Sequence, residues 1–246
     1  MRLVTWNLNG LDEAHLDERT EAAVFIMILG ARLDQLHAGI AGAAPPDVIV
    51  LQEVTGRMFS ASIARHLPAG GYSVIPVTAP DREVFEVLAF RSSLRLTDYN
   101  IVPLVASNYA RTLHTLDATD EFGTPLRIMT AHFDSGTDAA KVRTDQLRQV
   151  AARITDRSVF AGDANLRKAE WDAIRDQVPM RDAWETLGRP ADTRVTWVRD
   201  EYKARFDRVF VGSSIRPIAM VGLGKDPLPG SGAPVSDHIG LSVEFS

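Results

Sequence analysis

The sequence predicts an α/β fold in which two β-sheets pack face to face and helices lie outside them. Two observations carry this: strand-like runs outnumber helical ones, and helical runs fall between strands in both halves of the chain. A third concerns extent. Residues suited to one site run from Asn7 to His238, which favours a single domain over residues 1–246. The chain has 246 residues, 45% of them hydrophobic, enough for a large core.

The elements follow in order. Residues 3–7 read as a strand. Residues 14–41 read as a helix, with Val24, Ile28, Leu33, Leu36 and Ile40 at helical spacing, broken by Pro45-Pro46. Residues 47–54 form a continuous apolar run, so a strand buried on both faces, and 57–67 read as a short helix. Runs 72–78, 84–91, 94–102, 112–117 and 126–133 are β-rich with turn signals between them, and predict antiparallel strands. A helix over 138–154 places Val142, Leu147, Val150 and Ile154 on one face. A buried strand at 158–161 and a helix starting near Lys168 come next. Late strands are predicted at 195–198, 206–211, 218–221 and 239–245, with a Gly/Pro-rich loop over 222–234. No internal repeat is visible.

There are no cysteines, so disulfides and Cys-based zinc sites are excluded. The longest apolar run, 22–29, is too short to span a membrane. Met1 leads straight into an apolar strand, without a leader-like pattern, and a cytoplasmic location is the expectation. Net charge is −5, not the average of a nucleic-acid-binding domain. The charge is uneven: residues 127–216 carry 17 Lys and Arg against 14 Asp and Glu, residues 1–126 only 9 against 15. Arg143, Arg148, Arg153, Arg157, Arg167 and Lys168 are either solvated helix faces or a phosphate-facing patch.

Five short motifs lie at the ends of strand-like runs: Thr5-Trp6-Asn7, Leu51-Gln52-Glu53, Thr130-Ala131-His132, Gly162-Asp163-Ala164-Asn165 and Ser236-Asp237-His238. They supply carboxylates, carboxamides and two imidazoles, the inventory for holding a hard divalent cation against a phosphate and aiming water at phosphorus. Glu53 ends a buried run, where a lone carboxylate is costly unless paired or metal-bound. With Asn7 ending another strand, a metal-ligand role is preferred for both, and Asp237 is a candidate addition.

Asp163 and Asn165, two apart in extended chain, point to one side. A carboxylate that orients water beside a carboxamide on a phosphate oxygen suits in-line displacement. Taken alone, Gly-Asp-x-Asn is more often a turn. His238 is suited to phosphate or to proton exchange near neutral pH. Asp207, inside the run Arg205-Phe206-Asp207-Arg208, is the candidate to fix its tautomer, with a surface pair to Arg208 the alternative. His132 alone is more often structural. Arg167, near a helix start, suits a phosphate. His15, His37, His66 and His114 read as surface or packing residues.

In this order the motifs resemble the endonuclease/exonuclease/phosphatase superfamily over essentially the whole chain. The resemblance implies a four-layer α/β sandwich, two mixed sheets with helices outside, and magnesium-dependent phosphoester hydrolysis, with manganese a possible substitute. Within the superfamily the likeness is strongest to the 5′-tyrosyl-DNA phosphodiesterases. They share the start Thr5-Trp6-Asn7 with Gly10-Leu11-Asp12, Leu51-Gln52-Glu53-Val54, Phe160 to Asp163 with Asn165-Leu166-Arg167, Thr196-Trp197 ahead of Arg205-Phe206-Asp207-Arg208, and Asp182-x-Trp184-Glu185 before Leu187-Gly188.

The resemblance makes Glu53 the main magnesium ligand with Asn7 and Asp237 close by. Asp163 positions the water, and Asn165, His132 and His238 contact the phosphate. Arg167 and Ser135 are substrate contacts, and Trp197 is expected along the DNA path. Two departures stand out. Asn9 replaces an Asp, which removes a negative charge from the metal's surroundings, and Asp134-Ser135-Gly136 replaces Glu-Ser-Thr. The chain starts at the first catalytic strand, so no counterpart is expected for the accessory ubiquitin-binding domain of the animal members.

The expected function is hydrolysis of a 5′-phosphotyrosyl–DNA bond in DNA-end processing, by a monomer without an obligate protein partner. The alternatives are an abasic-site or general nuclease, a small-molecule phosphatase, or a DNA-end-binding module with little turnover.

Overall fold

The computed structural model describes residues 1–29 and 45–246. One six-stranded sheet has the order β13-β14-β1-β2-β4-β3 and the other β5-β6-β7-β8-β12-β9. The first contains β1 (Arg2–Asn7), β2 (Val48–Val54), β3 (Tyr72–Ile75), β4 (Phe85–Arg91), β13 (Pro217–Leu223) and β14 (Gly240–Phe245). The second contains β5 (Arg95–Pro103), β6 (Thr112–Thr119), β7 (Pro125–Ala131), β8 (Ser158–Asp163), β9 (Arg181–Asp182) and β12 (Asp207–Val211). A separate two-stranded ribbon joins β10 (Trp197–Arg199) to β11 (Tyr202–Ala204).

Helix α1 (Leu16–Leu29) and helix α2 cover the first sheet. Helix α2 runs through Gly56–Met58, a π-helical stretch Phe59–Ile63, and Ala64–Ala69. Helix α3 (Ala140–Ala151) and helix α4 (Lys168–Ile174) cover the second sheet, and the short α5 (Ala183–Thr186) follows β9.

Alternation along the strands builds four layers. In β2, Ile49 and Leu51 face the core under α1 and α2, while Val48 and Val50 face the core between the sheets. In β8, Val159 and Ala161 face the inter-sheet core and Phe160 the core under α3 and α4. A strand buried on both faces therefore reads as one apolar run. Polar side chains join the sheets near the site: Gln52 Nε2 donates to Thr130 Oγ1 at 3.1 Å, and His114 lies between Tyr99 OH at 2.6 Å and Glu86 at 3.4 Å.

The two halves share a plan that no sequence repeat announces. In each sheet the central pair is parallel and all other pairs are antiparallel: β1 with β2, and β7 with β8. A helix crosses over in both cases, as parallel neighbours require. The carboxyl ends of all four strands then point to one edge of the sandwich.

Differences from the sequence reading are local. Helix α1 is seen to Leu29, and the rest of the 14–41 helix, with Leu33, Leu36, Ile40 and His37, lies outside the described residues. The strands β9 and β11 escaped notice because two or three residues carry no measurable periodicity. Among the described residues no helix is long and apolar enough to cross a membrane.

Gly162 lets β8 lie close against β7: a Cβ there would stand 2.3 Å from the Ala131 carbonyl oxygen. Gly162→Ala should cost about 1–3 kcal/mol by overpacking. Urea titration checks this, and an unchanged midpoint would contradict the close approach.

Candidate active site

Five strand ends meet at this edge. β1 delivers Asn7, β7 leads into His132, β8 ends at Asp163, β12 begins at Asp207 and His238 enters β14. Glu53 lies in β2 where pairing with β4 shifts register between Leu51 and Val54. Such a bulge re-aims a side chain. Glu53 has φ +54°, beside Asn9 at +50° and Asn165 at +49°. Asparagine tolerates this left-handed conformation, but a glutamate there is strained, a cost met mostly at functional sites.

Asp163 is the hub. Its Oδ2 accepts from Asn7 Nδ2 at 3.0 Å and lies 3.3 Å from His132 Nε2 and 3.7 Å from His238 Nε2. Its Oδ1 accepts the Asn165 N–H at 2.9 Å, and Asn165 Nδ2 donates to the Phe133 carbonyl. His132 Nδ1 lies 3.6 Å from Glu53 and has no hydrogen-bond partner. Asn7 keeps its Oδ1 on the Asn9 N–H at 2.9 Å, so the carboxamide turns its nitrogen to Asp163.

The two imidazoles are driven apart in charge. Burial pushes His132 down to about 3, with Arg111 and His238 adding to the effect and Asp163 opposing it. Burial alone would also lower His238, but Asp207, Asp163 and Asp237 outweigh it and raise it to about 10. Asp207 Oδ2 sits 2.8 Å from His238 Nδ1. The site thus holds a neutral imidazole and an imidazolium on either side of one carboxylate.

Asp207 therefore pairs with His238 and not with Arg208, which is tied to Asp182 at 2.9 Å and to the Leu166 carbonyl.

The remaining candidates line a cavity of about 810 Å³: Asn9, Ser135, Arg167, Trp197 and Asp237, with Glu53, His132, Asp163, Asn165 and His238. Trp197 Nε1 donates to Asp237 Oδ2 at 3.0 Å, leaving Asp237 Oδ1 buried without a partner. Arg167 lies over the Phe206 ring at 5.0 Å.

Beyond Arg167 and Phe206 the cavity is adjoined by another of about 900 Å³. Seven Lys or Arg side chains line it against Asp172 and Glu185, with Trp171, Trp184 and Phe206 among them. Arg194 and Lys203 are exposed there and make no ion pair among the described residues.

The cations of 143–168, left open between solvated faces and a phosphate-facing patch, form no single patch. Arg143 is fully buried, with Nε and Nη2 on Glu170 and Nη1 on the Asp134 and Gly136 carbonyls. Arg148 pairs with Asp145, Arg153 bonds the Gln149 carbonyl, and Arg157 lines a cavity with Met1 and Phe245. Only Arg167 and Lys168 of that group reach the two cavities described here.

The residues fit a divalent cation. Burial, then Asp163, holds Glu53 above the usual carboxylate range, against the pull of His238, Arg111 and Asn7. Two close carboxylates and the unpartnered Asp237 oxygen leave negative charge that a hard cation would neutralise. Asp163, Asp207 and His238 also bring donor atoms within 4.8 Å of one another. There, however, Asp207 takes His238 Nδ1, and the charged ring offers no lone pair to a metal.

Sequence reading missed two cations. Arg19, 3% exposed, donates to the carbonyls of Leu8, Asn9, Asp12, Ala14 and Val235, and so fastens the turn after Asn7. Arg111 brings positive charge to Glu53 and His132. Neither lies in a motif, and their partners are carbonyls or distant in sequence, so no local signal exists.

In metal-free protein, NMR should find the His238 ring charged through about pH 6–8, titrating near 10. Because its folded value is raised, its contribution to stability is full below the unfolded 6.5 and fades as pH rises through about 10. Asp207→Asn should bring the titration down sharply. A wild-type midpoint below neutrality would contradict the ion pair.

The Endonuclease/Exonuclease/phosphatase family model matches residues 4–238. The chain is 29% identical over 263 residues to the Gallus gallus protein named tyrosyl-DNA phosphodiesterase 2, covering 99% of this chain and 66% of that one. It is 29% identical over 261 residues to the Homo sapiens protein of that name, covering 97% and 66%. The chain thus spans just under two thirds of these relatives' length.

Among solved structures, D. rerio TDP2 complexed with single strand DNA product superimposes with a TM-score of 0.83 at 26% identity, covering 100% of this chain and 98% of that one. A humanized D. rerio TDP2 carrying 14 mutations gives 0.83 at 27%, with the same coverage. With the strand-end residues and the four layers already placed, the chain belongs to the endonuclease/exonuclease/phosphatase family.

Proposed function

We propose that this protein is a magnesium-dependent phosphodiesterase that hydrolyses a 5′-phosphotyrosyl–DNA bond. One observation carries the reading: the cavity around Asp163 is adjoined, past Arg167 and Phe206, by a basic, aromatic-lined trench. A single strand needs such a trench, with cations for its backbone and rings for its bases. A small phosphoester needs only an enclosed pocket. The names of the relatives and the single-strand DNA product in a solved one support the same choice.

In this reading Asp163 aligns the attacking water and takes its proton. The oxygen–phosphorus bond forms as the bond from phosphorus to the tyrosine oxygen breaks, giving a 5′-phosphate and free tyrosine. The His238 imidazolium, neutral His132 and Asn165 face the phosphate oxygens, where negative charge builds. Asp207 keeps His238 charged. Arg167 and Ser135 hold the phosphate from the other side, and Trp197 guides the strand. Glu53, with Asn7 and Asp237 beside it, would hold magnesium, which would supply charge neutralisation for the displacement. Asn9 leaves that region one charge poorer than an aspartate would. Phenolate is a good leaving group and needs little protonation.

Magnesium-dependent release of tyrosine from a short 5′-tyrosyl single strand should exceed turnover of an abasic duplex and of p-nitrophenyl phosphate esters. Asp163→Asn should lower it by about 10²–10⁴-fold, and EDTA should abolish it. Activity confined to the other substrates would overturn the substrate assignment. Silence on all of them would favour a DNA-end-binding module.

Arg194→Ala and Lys203→Ala should each weaken single-strand binding and flatten the log–log salt dependence by about 0.7. Fluorescence anisotropy across a salt series reads this, and unchanged slopes would take the strand away from the trench.

A further inference from the structure

Asp134 is fully buried, yet the chemistry above gives it no task. Among the described residues no cationic side chain pairs with it. Neutral donors surround it instead. Its Oδ1 accepts from Ser107 Oγ and Gln146 Nε2, both at 2.7 Å, and its Oδ2 accepts the Asn108 N–H at 2.7 Å. Gln146 also accepts the Asp134 N–H at 3.0 Å, so one carboxamide grips both ends of the residue. A buried carboxylate held this fully is costly to build and persists where it organises something.

What it organises is the excursion between β5 and β6. Segment 104–111 is closed by the Leu104 N–H on the Arg111 carbonyl at 2.9 Å. It contains two left-handed non-glycine residues, Ala106 and Ala110, both with φ +52°. The Ser107 hydroxyl that donates to Asp134 accepts the Tyr109 N–H at 3.2 Å and the Arg111 N–H at 3.0 Å. A continuous chain of hydrogen bonds therefore runs from the Asp134 carboxylate to the backbone of Arg111.

Arg111 stands over the Tyr109 ring at 5.5 Å with its Nε buried and without a partner, and the pairing of Leu113 with Ala131 sets it level with the segment of His132. Asp134 itself lies two residues from His132 and next to Ser135.

We propose that Asp134 is a positioning residue which, through the Ser107 hydroxyl, sets the Arg111 guanidinium in place beside Glu53 and His132. This rests on the phosphodiesterase reading only for its substrate. It also accounts for the shorter acid in this motif: the carboxylate is turned to the Ser107 hydroxyl and the Asn108 N–H and not to the cavity.

A double-mutant cycle tests it. Asp134→Asn and Arg111→Ala should each lower kcat/KM on 5′-tyrosyl single-stranded DNA by about tenfold, within the usual range of coupled contacts. Added to Arg111→Ala, Asp134→Asn should cost less than about twofold more. A merely structural residue would cost the same in both backgrounds, and that result overturns the proposal.

Ser107→Ala leaves the carboxylate in place and should reproduce the loss even if Asp134→Asn fails to fold. Ser107→Ala at wild-type activity also overturns the proposal. If tyrosyl DNA is not turned over, the same cycle is read from binding of a 5′-phosphorylated oligonucleotide. Coupling there keeps Asp134 in its role while the phosphodiesterase reading falls, and additivity there removes it.

Discussion

The negative charge of Asp163, 2% exposed, is the constraint around which the rest of this edge is arranged. A carboxylate so far from water must be met by donors or by positive charge. Asn7 meets it from the first sheet at 3.0 Å, His132 and His238 from either side, and the Asn165 N–H from its own turn. Three of these partners come from distant stretches of chain. Satisfying one buried charge thus brings the two sheets into a single register, with help from the Gln52–Thr130 bond behind it.

The same logic spreads outward in shells of compensation. His238 is held charged by Asp207, and Asp207 is fixed at the start of β12, where its own N–H and that of Phe206 donate to Thr196 Oγ1. Asp182 absorbs the charges of Arg205 and Arg208, and Arg205 lies over Trp184 at 4.3 Å, shaping the wall of the basic trench. Arg143 pairs with Glu170 and reaches the carbonyls of Asp134 and Gly136, which fixes the loop carrying Ser135 against the start of α4. Among the described residues the buried Arg19, Arg143 and Arg208 are answered by carboxylates or carbonyls, while the exposed Arg194 and Lys203 of the trench make no ion pair.

Much of this was legible beforehand. Val48-Ile49-Val50-Leu51 and Ser158-Val159-Phe160-Ala161 announce strands buried on both faces, because each face has its own core. The residues at the ends of those runs, from Asn7 to His238, do converge at one edge. The helix over 138–154 shortens to Ala140–Ala151, since ends fray and caps are weak here. The arginines of 143–168 stayed open between solvated faces and a patch because charge along the chain says nothing of which face meets the site: Arg143 turned inward, and the trench took Arg194 and Lys203 from later segments.

Sequence by itself determined the layer pattern and the order of polar residues at strand ends, because side-chain alternation and turn chemistry act over a few residues. Tertiary structure alone decided which charges pair and which protonation states follow. Asp207 took His238, 31 residues away, and left Arg208 to Asp182. His132 and His238, the same side chain in similar local contexts, are pushed to about 3 and about 10. Burial and the nearest charge set such values, and both are properties of the packed chain.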